Sequence, residues 1–158
     1  MNQNPSDKIE SLLSAPCWLL DFLPEQVPAD GGGQYFAVER YFLQRPQITA
    51  LRWKFASLLL KLHCYYDFWV FWNYGEDGVR NPDPETLAAG ILNEKNTLQV
   101  LLNDGESLLF LADDLYMTVY APSETLLSLL RPLVEAEGLF LRKAPDTEMQ
   151  EQERDGSQ

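Results

Sequence analysis

Thr97-Leu-Gln-Val-Leu-Leu102, Asn103-Asp-Gly-Glu106, Ser107-Leu-Leu-Phe-Leu-Ala112, Asp113-Asp114, Leu115-Tyr-Met-Thr-Val-Tyr120: this stretch decides the fold. It contains three runs of strand-forming length, rich in β-branched, aromatic and aliphatic residues. Short acidic turns of the kind that reverse a chain separate them. Strands joined by turns this short pair antiparallel, because a parallel neighbour needs a crossover of a dozen residues or more. The reading is a three-stranded meander over about residues 97–120, which disfavours a doubly wound parallel sheet.

Working outward, the meander is flanked by helical patterns. Ser123 is placed to cap a helix whose stripe is Leu126, Leu129, Leu130, Leu133 and Val134. Pro132 lies inside this helix and Gly138 ends it. A last strand is expected over 139–142. Before the meander, Asn81-Pro-Asp-Pro84 and neighbouring residues read as a loop, then a short helix over 85–92 that contains Gly90. The clearest helix covers about 47–63, with Ile48, Leu51, Phe55, Leu58, Leu59 and Leu62 on one face and Pro46 at its start. Shorter helices are expected over 7–14, capped by Ser6, and over 34–44. A strand is expected over 17–23.

Cys64-Tyr-Tyr-Asp-Phe-Trp-Val-Phe-Trp-Asn-Tyr74 holds seven aromatic side chains in eleven residues. As a strand it is apolar on both sides, the pattern of a sheet element covered on two faces. The class that follows is α+β: a mostly antiparallel or mixed sheet containing the meander and covered by helices. The chain has 158 residues and 46% hydrophobic content, which suits one domain over 1–143. Residues 144–158 carry five acids against one base and lack periodicity, so they read as a disordered acidic tail.

The formal net charge is −12; the tail accounts for −4 of it, leaving −8 on residues 1–143. Such a field repels nucleic acid and anionic lipid and favours encounter with a basic partner. No run reaches the roughly 18 apolar residues of a membrane span. The N-terminus does not have the pattern of a secretory signal, so the expected compartment is the cytoplasm. Cys17 and Cys64 are each set in apolar sequence and read as buried free thiols.

Chemistry is sparsely signalled. His63 beside Cys64 lacks a third, orienting group, and adjacent residues on a regular element point apart. Gly31-Gly32-Gly33 is followed by no Lys-Ser/Thr pair, so a phosphate cradle is not indicated. The turn carboxylates read as solvated. Asp113 and Asp114 are the pair to watch for a metal, and no cofactor is called for. Asp21 and Asp67 stand out because each interrupts apolar sequence and requires a partner or a rim position. Arg40, Arg45, Arg52, Lys54 and Lys61 are the nearby cations.

Trp53 and Leu60 lie seven apart on the far side of the long helix, where either the helix over 34–44 or a partner must cover them. With Arg52, Lys54 and Lys61 they form the candidate contact surface, engaging another protein or a second copy in a symmetric dimer. The functional expectation is a small, acidic, non-catalytic interaction module. An antagonist or immunity-type binder of a basic protein fits that description. The alternative is a small-ligand protein or enzyme with a cleft beside the aromatic strand, lined by Tyr66, Asp67 and Trp69.

Overall fold

Antiparallel pairing organises the computed structural model, which describes residues 4–29, 32–112 and 115–144. The described elements run α1 (Pro5–Leu12), β1 (Cys17–Asp21), α2 (Tyr35–Phe42), α3 (Gln47–Leu62), β2 (Phe68–Trp72), β3 (Val79–Arg80), α4 (Pro84–Leu92), β4 (Leu98–Leu102), β5 (Ser107–Leu111), β6 (Tyr116–Tyr120), α5 (Glu124–Ala136) and β7 (Phe140–Lys143). The seven strands form one sheet in the order β3-β2-β4-β5-β6-β1-β7, every neighbouring pair antiparallel. The fold is α+β, and the meander β4-β5-β6 sits at its centre. None of the described helices is long and apolar enough to cross a membrane.

Strand alternation sends Leu20, Phe68, Val70, Val100, Leu109, Leu111, Met117 and Val119 to one side. There they meet the buried stripes of α3, α4 and α5 in the main core. Among the described residues, the helix packed on the other side is α1. Its Ile9 is buried with Phe71, Leu101 and Leu108, and Leu12, Trp69 and Tyr120 pack around them. Lys8 fastens α1 in place by donating to the Asp104 carbonyl in the β4–β5 turn. An eight-residue helix is too small to cover a seven-stranded sheet.

The aromatic stretch divides differently from the single strand expected over 64–74. Helix α3 runs to Leu62, residues 63–66 turn, and β2 begins at Phe68. Both sides of β2 are packed, Phe68 and Val70 into the main core and Phe71 against α1. Three asparagines frame it. Asn73, Asn81 and Asn103 have positive φ, a conformation Asn tolerates because its short side chain bonds locally. Asn81 accepts from the Phe68 amide at Oδ1 (2.9 Å) and donates its own amide to the Phe68 carbonyl (2.8 Å). Asn103 treats Asp67 in the same way, at 2.9 and 3.0 Å.

The starts of α1, α4 and α5 carry side-chain caps. Ser123 and Asp83 accept from the amides of Leu126 and Thr86 at 3.0 Å. For α1 the cap is Asn4, which accepts from the Ser6 amide, so Ser6 lies inside the helix it was expected to start. The ends of α3 and α5 are joined through Glu137, whose Oε1 accepts from Ser57 Oγ (2.7 Å) and Lys61 Nζ (2.9 Å).

Burial pushes the Glu137 carboxyl up, but the hydrogen bonds from Ser57 and Lys61 and the charges of Lys61 and Lys54 outweigh it. The result lies below the usual range. A depressed carboxyl stabilises the fold at pH above its unfolded value, and that stability disappears as pH falls through the folded value. Glu137→Gln is therefore expected to lower stability at neutral pH by about 1 kcal/mol or less. The difference from wild type should close as urea titrations move below the ordinary carboxylate range.

Candidate functional site

The pairing register lays the α1 side of the sheet out as rows, because directly opposed residues point to the same face. One row runs Arg142, Leu19, Thr118, Phe110, Gln99, Phe71 from β7 across to β2. The next runs Cys17, Tyr120, Leu108, Leu101, Trp69, Arg80, and a third joins Phe140, Asp21 and Tyr116. Helix α1 lies over the Leu101, Leu108 and Phe71 end. Among the described residues α1 does not reach β1 and β7, where the start of α2 borders the sheet only beside Asp21 and Arg142.

That uncovered portion is aromatic. Phe140 and Tyr116 are exposed, Phe110, Thr118, Tyr120 and Leu19 are half-buried, and the exposed Tyr74 meets Phe110 edge-on at 5.9 Å. Phe110, Ala112, Tyr116, Thr118 and Tyr120 surround a shallow depression of about 180 Å³. The charges set in the three rows there are Asp21 and Arg142. Arg142 donates from Nη2 (2.7 Å) and Nε (3.3 Å) to Asp21 Oδ2, while Asp21 Oδ1 accepts from the Phe22 amide (2.7 Å). Asp21 is 7% exposed, so its charge is buried and paired.

Beside this pair a cavity of about 350 Å³ opens between the sheet edge, residues 23–29 with Gly33, and the start of α2. Asp21 and Arg142 form its base, Leu23, Val27 and Pro28 one wall, Tyr35 and Phe36 the other. Helix α2 is anchored by Phe42, whose ring meets Phe22 at 5.3 Å and packs on the main core. This leaves Phe36 74% exposed at the cavity mouth. Tyr35 donates to Glu39 Oε2 at 2.9 Å. Burial, the hydrogen bond to Glu39, and the charges of Glu39 and Asp21 push the Tyr35 phenol up to about 12.

The residues singled out from the sequence are dispersed. Trp53 is 52% exposed on α3, but Leu60 is half-buried against the main core. Arg52 is not part of a contact surface: it is 2% exposed and donates to the carbonyls of Ile91, Glu94, Asn96 and Ala112. Lys61 serves Glu137, and the Lys54 charge acts on the same carboxyl. Tyr66, Asp67 and Trp69 line no common cleft. Tyr66 packs on the helical side, Trp69 lies on the α1 side under Arg80, whose guanidinium sits 4.4 Å from the ring centroid, and Asp67 is exposed.

His63 stacks on Phe68 at 4.2 Å and engages the Tyr66 carbonyl through Nδ1 (3.0 Å), so it is a packing residue. Cys64 is exposed, contrary to the expected buried thiol, because it sits in the turn after α3. Cys17 is half-buried, and burial pushes its thiol up, away from the reactive thiolate. Among the described residues, no group of three His, Cys, Asp or Glu side chains is placed to hold a metal. Asp113 and Asp114, like residues 145–158 of the expected tail, lie outside the described residues.

The residues that sequence reasoning missed are Phe110, Tyr116, Tyr120 and Arg142. Their signal was present. In the stretch 116–120, Tyr and Thr occupy one phase and Met and Val the other, the alternation of a strand with a wetter second face. Comparison with known protein families, characterised proteins and solved structures found no match.

Proposed function

We propose that this chain is a small, non-catalytic protein-binding module that engages a basic protein through the uncovered half of its sheet. One observation carries the reading: the side-chain rows of β5, β6, β1 and β7 set Leu19, Phe110, Tyr116, Thr118 and Phe140 together beyond the cluster formed with α1, with Tyr120 at the border between the two. Interface cores are enriched in Tyr and Phe and poor in unpaired charge, which is the composition of this face. Rigid rings also bind at low entropic cost, since each has only two side-chain torsions to fix. The charge of −12 supplies the partner's sign, because it accelerates approach of a cationic protein and discourages an acidic one.

The test is a direct comparison of partner binding by the intact chain and by Phe110→Arg. The substitution removes a central ring and sets a cation against a basic partner, a repulsive element as well as a lost contact. Binding is expected to weaken by roughly 30-fold or more, about 2 kcal/mol, the scale of an interface hot spot. Wild-type binding should also weaken as salt is raised through the range where the screening length falls below about 10 Å. Undiminished binding by a folded Phe110→Arg, or indifference to salt, contradicts the reading.

A further inference from the structure

The cavity beside β1 is continuous with the proposed docking face, because Asp21 and Arg142 belong to both. Its electrostatics are one-sided. Arg142 directs Nε and Nη2 to Asp21, which neutralises that pair. Glu25 lines the same cavity, and Glu39 stands behind Tyr35. Among the described residues neither glutamate has a cation within ion-pair distance. The high proton affinity of Tyr35 reflects burial, its hydrogen bond to Glu39 and the charges of Glu39 and Asp21. The rings of Tyr35 and Phe36, edge to face at 5.6 Å, supply aromatic surface beside these carboxylates.

We propose that this cavity receives the cationic head of a lysine or arginine side chain from the protein docked on the sheet face. The inference rests on the reading of that face as a docking surface and names what keys the partner to it. A cation there meets the aromatic lining of Tyr35 and Phe36 and the field of Glu25, with Glu39 behind Tyr35, a pairing of ring and carboxylate that suits ammonium and guanidinium groups. An anion would meet the unneutralised charge of Glu25, with Glu39 behind Tyr35. A neutral alkyl chain would fill the apolar wall of Leu23, Val27 and Pro28 and leave the charge unanswered. At about 350 Å³ the space admits one long side chain and falls at the small end of ligand cavities.

The test uses the full chain and four probes of similar length: n-butylguanidinium, n-butylammonium, n-butylurea and n-butyrate. Ring proton–carbon NMR signals of Tyr35 and Phe36 are followed during titration. The two cations are expected to shift them saturably, the urea and the carboxylate not. Glu39→Gln and Phe36→Leu are each expected to weaken the cations roughly threefold to fivefold, the scale of an exposed ion pair or a single ring–cation contact. Because the probes are added to the protein alone, the result is independent of whether a docked partner is found. Absence of saturable cation shifts, equal shifts with butyrate or butylurea, or full affinity in both Glu39→Gln and Phe36→Leu overturns the proposal.

Discussion

Arg52→Met is expected to destabilise the fold by about 3–5 kcal/mol, because buried carbonyls that lose their donor each cost on the order of 1–3 kcal/mol. Arg52 is 2% exposed and sits where three loose ends converge. Its Nη1 donates to Ile91 and Asn96 (3.3 and 3.2 Å), and its Nη2 to Glu94 and Ala112 (3.2 and 3.3 Å). Ile91 lies in the last turn of α4, where carbonyls have no intrahelical partner and the helix dipole is negative. Glu94 and Asn96 belong to the connection into β4, and Ala112 follows β5.

The guanidinium thus replaces a layer of backbone pairing that the chain itself does not make there. Exchanging a whole buried polar network for apolar groups can be neutral, but here only the donor is removed and the carbonyls stay. Methionine preserves most of the volume, so the measured loss reports removal of the guanidinium and not a cavity. Arg52→Lys should fall between the two, with one compact ammonium in place of a planar fork. Urea unfolding checks it; a loss below about 1 kcal/mol for the methionine variant would show that the carbonyls find other partners.

Gly90→Ala is the second large effect, and its sign runs against helix propensity. In an unencumbered helix the change would stabilise by about 0.5–1 kcal/mol. Gly90, however, faces Trp72 of β2, and a methyl group there would lie 2.3 Å from Cη2 and 2.6 Å from Cζ2 of the indole. Those atoms belong to a stiff ring packed against the main core, so the ring or α4 must move. Overpacking of this kind costs about 1–3 kcal/mol, which exceeds the propensity gain and leaves a net loss of about 1–2 kcal/mol. Thermal unfolding decides it, and a higher midpoint for Gly90→Ala would refute the close contact of α4 with Trp72.

These two residues also mark where sequence reading succeeds and where it stops. The meander was legible because its turns and its strand lengths agree with each other. The helix α3 was legible because its apolar positions share one face. Gly90 read only as a weakness in a helical pattern, since nothing local announces the indole that requires it. The two-residue strand β3 was absent from the reading for the same reason: Val79 and Arg80 form a strand only by pairing with β2. The start of β2 was misplaced because Tyr65 and Tyr66 continue the apolar pattern through a turn.

The candidate site was less legible than the fold, and its distances in sequence explain why. Asp21 stood out as a carboxylate that needed a partner, yet its partner, Arg142, lies 121 residues away. Only the sheet order β6-β1-β7, which slots the first strand between the last two, brings them together. The uncovered face has the same origin. Tyr116, Thr118 and Tyr120 carry the alternation, but whether a helix covers them depends on where α1 docks.

The most direct measurement places a photo-crosslinking amino acid at Phe110, with the same group at Ser128 on the exposed side of α5 as the comparison. The account predicts that irradiation in the native cell joins the Phe110 position to one basic protein. That product should diminish as salt is raised in lysates, and the Ser128 position should yield none of it. Equal products from both positions, crosslinks solely between copies of this chain, or no product at Phe110 would contradict the account.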